Sequence, residues 1–278
     1  MADTRTFLIT GVSSGLGRAF AAGALQAGHR VIGTVRHPDA VAAHEALAPG
    51  RASAVILDVT DFDAVPAAVS RVEREVGPID VLVNNAGYGH EGILEESTLD
   101  DVRRQFDANV FGAVAMIKAV LPGMRARRSG HIVNVTSMGG FITMPGITAY
   151  CGSKFALEGI SEALAKEVRA LGVWVTALAP GQFRTDWAGR SMDRAPRSIS
   201  EYDAVMDPIR AARQAKSGRQ PGDPARAAEA LLKLVASDDP PVRLYLGADA
   251  MQLVGDKIAA MRTEMAAWET VSRSTDFA

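Results

Sequence analysis

The sequence predicts an α/β protein with a doubly wound parallel sheet, because short apolar segments alternate with helix-length segments along its 278 residues. The apolar segments are rich in β-branched residues and are apolar throughout rather than at alternate positions, as in parallel strands buried on both faces. A glycine-rich turn follows the first segment, which is typical of this fold class. The predicted strands are residues 6–10, 30–35, 52–57, 80–83, 131–135, 173–178 and 242–246.

The segments between the predicted strands carry helical signals, mainly apolar residues at spacings of three and four. Gly172 is a suitable C-cap for a long helix that precedes it. Asp223 and Pro224 supply an N-cap and a first helical residue. The segment 99–124 is long enough for two helices with a break between them. The predicted helices are residues 15–27, 62–76, 99–124, 149–171 and 224–235.

The composition excludes several classes of function. The 30 basic and 32 acidic side chains leave a net charge of −2, which gives no strong field for nucleic acid or anionic lipid. Binding to either would need a local patch, and we expect neither as a partner. The one cysteine, Cys151, excludes an intramolecular disulfide, and the histidines do not cluster in sequence, so we expect no metal. We find no signal peptide and no run of about 18 apolar residues, and therefore expect a cytoplasmic protein without a membrane segment.

A glycine-rich turn lies where the first strand leads into a helix. Its glycines permit unusual backbone angles, and the missing Cβ atoms let a ligand approach the chain closely. The N–H groups of such a turn and the positive end of the helix suit a pyrophosphate. The turn therefore predicts a dinucleotide site, with a plain tight turn as the alternative. Its residues are Gly11, Val12, Ser13, Ser14, Gly15, Leu16 and Gly17.

Arg36 ends the second predicted strand, where a fold that prefers NAD usually has an acidic residue for the ribose hydroxyl. A guanidinium instead forms paired, charge-assisted hydrogen bonds with a 2′-phosphate. Ser13 and Ser14 supply hydroxyl donors for the same phosphate. We therefore expect NADP rather than NAD, the alternative being a solvated surface arginine.

Tyr150 and Lys154 are four residues apart in a predicted helix and so share one of its faces. A free tyrosine has a pKa of about 10, too high for a good base at neutral pH. A lysine ammonium nearby favours the phenolate and lowers that pKa, as an oxidised nicotinamide would. The pair predicts an acid/base site, although chance alone produces such a spacing in some chains.

Two polar residues on other segments complete a candidate catalytic set. Ser137 follows the fifth strand, at the ligand-binding edge of a parallel sheet, and is placed to donate a hydrogen bond to a carbonyl. The alternative is a serine that caps a turn. Asn109 lies within a helical region, where asparagine is locally unfavourable and predicts a polar break able to hold water. The alternative is a surface asparagine.

These residues, taken together, resemble the short-chain dehydrogenase/reductase family, and the resemblance covers about residues 5–250. The matching elements occur in family order: the turn 10–17, Asp58 and Val59 after strand three, 84–87 after strand four, Asn109, Ser137, the Tyr150–Lys154 pair, and Pro180, Gly181 and Thr185 after strand six. The resemblance implies a Rossmann-like sheet and hydride transfer between a nicotinamide cofactor and a small molecule.

The resemblance also implies a role for each matching residue. Tyr150 is then the general acid/base, Lys154 lowers its pKa and binds the nicotinamide ribose, Ser137 polarises the carbonyl, and Asn109 holds a relay water. Asp58 meets the adenine amino group. Other residues line the cofactor: Val59, Asn85, Ala86, Gly87, Pro180, Gly181, Phe183 and Thr185.

The segment after Pro180 and Gly181 forms a lid over the substrate in this family. We therefore expect a lid segment at about residues 186–222. The sequence 183–187 resembles the hydroxysteroid/retinol dehydrogenase-like subgroup, so we expect an apolar substrate. Phe141, Met144, Trp187 and Met192 are candidates for the pocket wall, with ordinary loop packing as the alternative for the first two. A C-terminal tail at about 248–278 carries an apolar stripe that predicts a helix docked on the body or on a partner subunit.

The sequence thus predicts a single catalytic domain over residues 1–278, since the cofactor residues extend through six strands of one sheet. The leading hypothesis is an NADP(H)-dependent oxidoreductase for a secondary alcohol or ketone. The alternatives are a non-catalytic nucleotide-sensing or scaffold protein, and an isomerase or dehydratase with bound nucleotide. Helices starting near Asn109 and Ala149 resemble those of dimeric and tetrameric relatives, which predicts a homodimer or homotetramer.

Overall fold

A parallel sheet forms the centre of the fold, seen in a computed structural model that describes residues 4–189 and 191–277. Within these residues the strands are β1 (Thr6–Ile9), β2 (Arg30–Val35), β3 (Ala52–Ile56), β4 (Val81–Asn84), β5 (Gly89–Glu91), β6 (Gly130–Val135), β7 (Val173–Pro180), β8 (Met192–Arg194) and β9 (Arg243–Leu246). Seven of them form a sheet in the order β3-β2-β1-β4-β6-β7-β9, with every neighbouring pair parallel. This confirms the predicted fold class.

Helices cover both faces of this sheet. They are α1 (Gly15–Gln26), α2 (Asp39–Glu45), α3 (Ala64–Glu75), α4 (Leu99–Phe106), α5 (Gly112–Arg127), α6 (Thr148–Val168), α7 (Asp203–Lys216), α8 (Pro224–Ala236) and α9 (Ala248–Arg273). The predicted caps are confirmed: Gly172 has a φ of 75°, and the Asp223 carboxylate accepts a hydrogen bond from the N–H of Ala225. The short helix α2 was missed, because it has no apolar periodicity of its own.

The two cores lie on opposite faces of the sheet, because neighbouring residues of a strand point in opposite directions. Phe7 and Ile9 of β1 pack with α1 and α8 on one face, whereas Leu8 packs with α3 and α5 on the other. All three side chains are buried. Strands buried on both faces need apolar residues throughout, which explains the continuously apolar segments of the sequence.

The predicted break between the helices of segment 99–124 is a π-helical turn, Asp107–Phe111, between α4 and α5. The whole stretch Leu99–Arg127 is long and apolar enough, by length and composition alone, to cross a membrane, a test that core helices of soluble proteins also pass. In this fold Met116, Val120 and Met124 of α5 are completely buried against the sheet. The helix therefore contributes to one of the two cores.

The lid segment is more structured than its polar sequence predicts. Strand β8 pairs in parallel with β5, and α7 follows it. The tail forms α9, of which Ala250 and Val254 are buried, whereas Met265 and Trp268 further along the stripe are exposed. The expected docking therefore holds for the first turns of α9. The assignment of residues 1–278 to a single catalytic domain stays a prediction.

Candidate active site

The glycine turn between β1 and α1 needs each of its three glycines. Gly11 and Gly15 have φ angles of 72° and 57°, in the left-handed region that favours glycine. A Cβ atom on Gly17 would lie 2.2 Å from the carbonyl oxygen of Gly11. The turn therefore packs against itself as closely as the backbone allows.

The N-terminus of α1 opens towards the residues that follow β7. Ser14 is its N-cap residue, but the Ser14 side chain forms no capping hydrogen bond with the helix. A Cβ atom on Gly15 would meet the Thr185 side chain at 3.7 Å, so these two predicted cofactor residues face each other. Uncapped N–H groups beside a positive helix end are suited to a phosphate, and the residues present fit a dinucleotide.

Thr10 and Asn85 hold the glycine turn against the end of β4. The Thr10 hydroxyl oxygen accepts hydrogen bonds from the N–H groups of Asn85 and Ala86, both at 2.9 Å. The Asn85 side-chain amide donates to the carbonyl oxygens of Thr10 and Gly11, at 2.9 and 3.1 Å. The Asn85 amide nitrogen thus binds the turn. The expected contact of this residue with a ribose stays a prediction.

The predicted adenosine side of the site is open to solvent. Arg36 is exposed at the end of β2, and within residues 4–189 and 191–277 its guanidinium has no hydrogen-bond or ion-pair partner. Ser13 is also exposed. The Asp58 carboxylate accepts hydrogen bonds from the N–H and hydroxyl of Thr60. Val59 is buried in the core, so its side chain does not face this side of the site.

The segment after β7 is fixed by a residue that the sequence analysis missed. The N–H of Gln182 donates to the Asp249 carboxylate at 2.8 Å, and a Cβ atom on Gly181 would lie 2.3 Å from the same carboxylate. Asp249 is in the first turn of α9, where an acidic residue is favoured, and that position was its signal in the sequence. Phe183 packs against the core rather than standing free.

Ser137, Tyr150 and Lys154 are brought together at the carboxyl end of β6, and all three are buried. The Lys154 ammonium donates a hydrogen bond to the carbonyl oxygen of Val135 at 2.8 Å and lies 5.8 Å from the centre of the Tyr150 ring. The Ser137 hydroxyl oxygen accepts a hydrogen bond from the N–H of Gly139 at 3.0 Å. The expected acid/base pair and carbonyl-binding serine therefore lie side by side.

Burial dominates the ionisation of this pair. It raises the pKa of Tyr150 to about 12, and a hydrogen bond with Ser137 acts more weakly in the opposite direction. Burial also lowers the pKa of Lys154 to about 8, against the attraction of Glu158. The net shift of the Tyr150 pKa is upward, because the cost of removing the phenolate from water exceeds the stabilisation that its neighbours give. The expected lowering of this pKa by Lys154 stays a prediction.

Glu158 is a further residue that the sequence analysis missed, although it lies four residues after Lys154. Its carboxylate is buried, accepts a hydrogen bond from Thr136 at 2.6 Å and pairs with Arg243 at 2.5 Å. It supplies negative charge behind the Lys154 ammonium. Cys151 is buried and its thiol pKa is raised by burial, which agrees with its interpretation as a packing residue.

Asn109 lies in the π-helical turn and is 1% exposed. Its amide oxygen accepts a hydrogen bond from the N–H of Tyr88, and its amide nitrogen donates to the carbonyl oxygen of Tyr88 and to the Ser153 hydroxyl, all at 3.1 Å. The residue thus links the segment after β4 to helix α6. Both of its polar groups are bonded to protein atoms. Its expected role in holding a relay water stays a prediction.

Apolar side chains pack around the Tyr150 ring. The Trp187 ring lies 5.1 Å from the Tyr150 ring, centre to centre, and Met144 packs in the same cluster. Met192 is buried beside Gly89. Phe141 packs in a different cluster, with Tyr245 and the start of α9. Of the four residues predicted to line the pocket wall, Phe141 is therefore the one that contacts neither the Tyr150 cluster nor Gly89.

His90, Asp101 and Asp193 form a cluster whose ligand atoms lie within 4.8 Å of one another. Asp101 accepts hydrogen bonds from Thr98 in a capping box and pairs with Arg104, and the Nε2 atom of His90 shares a hydrogen bond with the Ser97 hydroxyl at 3.0 Å. The buried Nδ1 atom of His90 lies 3.5 Å from the Asp193 carboxylate and has no hydrogen-bond partner among the described residues. The absence of a metal stays a prediction.

A family model described as short chain dehydrogenase matches residues 5–195. The chain belongs to the short-chain dehydrogenase family. It is 40% identical to a short-chain dehydrogenase of Streptomyces avermitilis, whose crystal structure superposes with a TM-score of 0.93 over 99% of this chain and 100% of that one. It is therefore an oxidoreductase of this family, whose members bind a nicotinamide cofactor and act on small molecules.

Two curated relatives are similar over most of their length. The chain is 38% identical over 242 residues to the 3-ketodihydrosphingosine reductase of Bacteroides thetaiotaomicron, covering 86% of this chain and 87% of the relative. It is 34% identical over 263 residues to human retinol dehydrogenase 8, covering 87% and 81%. The second similarity agrees with the subgroup that the sequence 183–187 resembles.

The lowered pKa of Lys154 predicts a pH dependence of folding stability. Between pH 8 and 10 the unfolded lysine binds a proton that the folded one has lost, so the wild type should gain stability as pH rises, relative to Lys154→Met. The expected slope of this difference is about 1.4 kcal/mol per pH unit. Urea unfolding of both proteins from pH 7 to 10 measures it, and a difference that stays flat contradicts the burial argument.

Proposed function

We propose that this short-chain dehydrogenase interconverts an apolar secondary alcohol and its ketone with NADP(H). One observation carries the proposal: Tyr150, Lys154 and Ser137 are buried together at the sheet edge where Thr185 faces the glycine turn. NADP(H), when bound, donates or accepts the hydride. Gly11, Gly15 and Gly17 would hold its pyrophosphate and Arg36 its 2′-phosphate.

In the reductive direction, Tyr150 donates the proton. Its pKa of about 12 keeps the hydroxyl protonated at neutral pH, which is the form that a carbonyl oxygen requires of an acid. The Ser137 hydroxyl donates a second hydrogen bond to the same oxygen. Lys154, protonated below about pH 8, stabilises the phenolate that is left behind, and Glu158 supports that charge.

The oxidative direction needs the opposite form of Tyr150, a phenolate that takes the hydroxyl proton of the alcohol. The Lys154 ammonium is the buried positive charge nearest to that phenolate in the described part of the chain. Its effect grows as water is excluded from the site. Asn109 holds the geometry, because it ties helix α6 to the segment after β4.

An apolar substrate is supported by what surrounds Tyr150. Trp187 and Met144 pack beside it, and Met192 is buried in the lid segment. Arg194, Arg210 and Arg213 of that segment are paired with Glu91, which leaves them little capacity to bind an anionic substrate. The names of the two relatives, a 3-ketodihydrosphingosine reductase and a retinol dehydrogenase, agree with this class.

We also propose a homo-oligomer. Phe111, the last residue of the π-helical turn before α5, is 52% exposed, and Phe155, on α6, is 42% exposed. Exposed apolar side chains on this turn and on the helix that packs against it favour association with a second copy. Both lie on the helices that the sequence analysis expected to form the interface.

Tyr150→Phe should reduce turnover at least 1,000-fold, since the proton donor is lost while the ring and its packing on Trp187 remain. Cofactor binding, followed by NADPH fluorescence, should change less than about 3-fold. Tyr202→Phe, at a half-buried tyrosine whose hydroxyl donates to Glu95 and which is not part of the Tyr150 cluster, is the control. A panel of apolar ketones and alcohols supplies the substrate. Near-normal turnover by Tyr150→Phe would overturn the assigned role, and tight NADPH binding without turnover of any substrate would favour a nucleotide-sensing protein.

Arg36→Ala should weaken NADPH binding by about 10- to 100-fold and leave NADH binding unchanged, because a charge-assisted pair with the 2′-phosphate is lost. Titration of each cofactor against the wild type, the variant and Arg226→Ala, an exposed arginine on α8, measures the effect. Equal affinity of the wild type for the two cofactors sinks the NADP assignment without touching the acid/base assignment.

Phe111→Arg combined with Phe155→Arg should convert the oligomer to a monomer, because the charges cannot be buried in an interface. Light scattering after size-exclusion chromatography gives the masses. Phe62→Arg, at a third exposed phenylalanine, is the control and should keep the wild-type mass. A wild type that already runs as a monomer contradicts the proposal.

A further inference from the structure

Glu91 is a buried carboxylate that neither the glycine turn nor the catalytic residues use. It ends β5, and its side chain is 0% exposed. A buried carboxylate is costly unless charged or polar partners surround it. The residues around Glu91 therefore indicate what this negative charge does.

Three arginines of the lid segment converge on Glu91. Arg194 lies 3.3 Å and Arg210 2.7 Å from one carboxylate oxygen, and Arg213 lies 3.0 Å from the other. Arg194 belongs to β8, whereas Arg210 and Arg213 are one turn apart on α7 and share one face of it. One carboxylate thus binds two separate elements of the lid segment.

The same cluster reaches the loop that precedes Tyr150. Arg213 donates a second hydrogen bond, at 2.8 Å, to the carbonyl oxygen of Pro145. Next to it Gly146 has a φ of 73°, and a Cβ atom there would lie 2.5 Å from the Met206 side chain of α7, which is itself completely buried. Helix α7 therefore packs against Pro145 and Gly146, in the loop that leads into helix α6 and Tyr150.

On its other side the cluster positions the apolar wall. Strand β8, which carries Arg194, pairs with β5 so that Met192 lies opposite Gly89. A Cβ atom on Gly89 would lie 2.8 Å from the Trp187 ring, the ring that packs on Tyr150. Glu91 is thus connected to Tyr150 by direct contacts: Arg194 lies on β8, β8 pairs with β5, and Gly89 of β5 lies against the Trp187 ring.

We infer that Glu91 is a positioning residue for the substrate: it fixes β8 and α7 so that Trp187 and Met192 form a wall over Tyr150. This inference rests on the proposed function and names the residue that sets its substrate affinity. Without the carboxylate charge, the Arg210 and Arg213 guanidinium groups lose the counter-charge that they share, and both lie beside Arg194. Mutual repulsion then separates α7 from β5 and loosens the wall, while the glycine turn and Lys154 stay in place.

Glu91→Gln keeps the size of the side chain and removes its charge. For an apolar substrate turned over by the wild type, KM should rise at least 10-fold, kcat should change less than about 3-fold and NADPH affinity should stay the same. Adding Arg213→Gln to Glu91→Gln should recover part of the loss, because one unpaired cation disappears. Glu229→Gln, an exposed carboxylate on α8, is the charge-matched control and should behave as the wild type.

A second measurement does not depend on turnover. Trypsin cleaves after arginine, and cleavage at Arg194, Arg210 and Arg213, followed by mass spectrometry, should be at least 10-fold faster in Glu91→Gln than in the wild type or Glu229→Gln. Arg210→Gln leaves Glu91 two arginine partners, so trypsin should cleave this variant at Arg194 and Arg213 at a rate between those of the wild type and Glu91→Gln. This variant keeps the test possible if Glu91→Gln does not fold.

The outcomes separate the two proposals. Faster cleavage with a raised KM supports the inference. Faster cleavage in a protein that turns over no substrate means that the proposed function fails while Glu91 still holds the lid segment. An unchanged cleavage rate overturns the role of Glu91 as a positioning residue. The same holds if kcat and NADPH affinity fall by the same factor by which KM rises.

Discussion

The parallel pairing of β1, β4, β6 and β7 brings together the candidate functional residues that follow these four strands. Parallel strands send their carboxyl ends to one edge, so the segments after these four strands meet there although they are far apart in sequence. The glycine turn follows β1, Asn85 follows β4, Ser137 follows β6 and Thr185 follows β7. A one-residue slip of a strand would turn its buried side chains to the opposite face, which both cores forbid.

At that edge the polar groups are costly to bury, and the structure offsets the cost by connecting them. The Thr10 hydroxyl and the Asn85 amide satisfy backbone groups of two strands and the turn. Asn109 does the same for the segment after β4 and for α6. Such networks are rigid, because loss of any member leaves a buried polar group without a partner. This rigidity keeps Tyr150 and Lys154 in a fixed position relative to the glycine turn.

Local sequence patterns were enough to predict the sheet, the caps at Gly172 and Asp223, and the convergence of Ser137, Tyr150 and Lys154. Each of these depends on neighbours in sequence or on the edge to which a strand runs. What the sequence could not show depends on burial and on distant partners. The sign of the Tyr150 pKa shift follows from exclusion of water, and Asn85 became a structural residue through contacts 74 and 75 residues away. The strand and helix of the lid segment were missed for the same reason. Their polar side chains pair with distant residues such as Glu91, which a local sequence pattern does not show.

The lid segment shows why charge in a sequence is a poor guide to substrate. An arginine-rich segment over a pocket suggests an anionic ligand, but a guanidinium already held by a carboxylate has little affinity left for a second anion. In this protein Glu91 and Glu96 form ion pairs with the arginines of β8, of α7 and of the segment between them. In the proposed function, the surface that contacts the substrate is formed by Trp187, Met144 and Met192. Discrimination between substrates then follows from shape and apolar area, for which each methylene contributes about 0.8 kcal/mol. Selectivity of that kind depends on how rigidly the wall is fixed. Under this proposal, the charges therefore affect substrate binding by positioning the wall and not by direct contact.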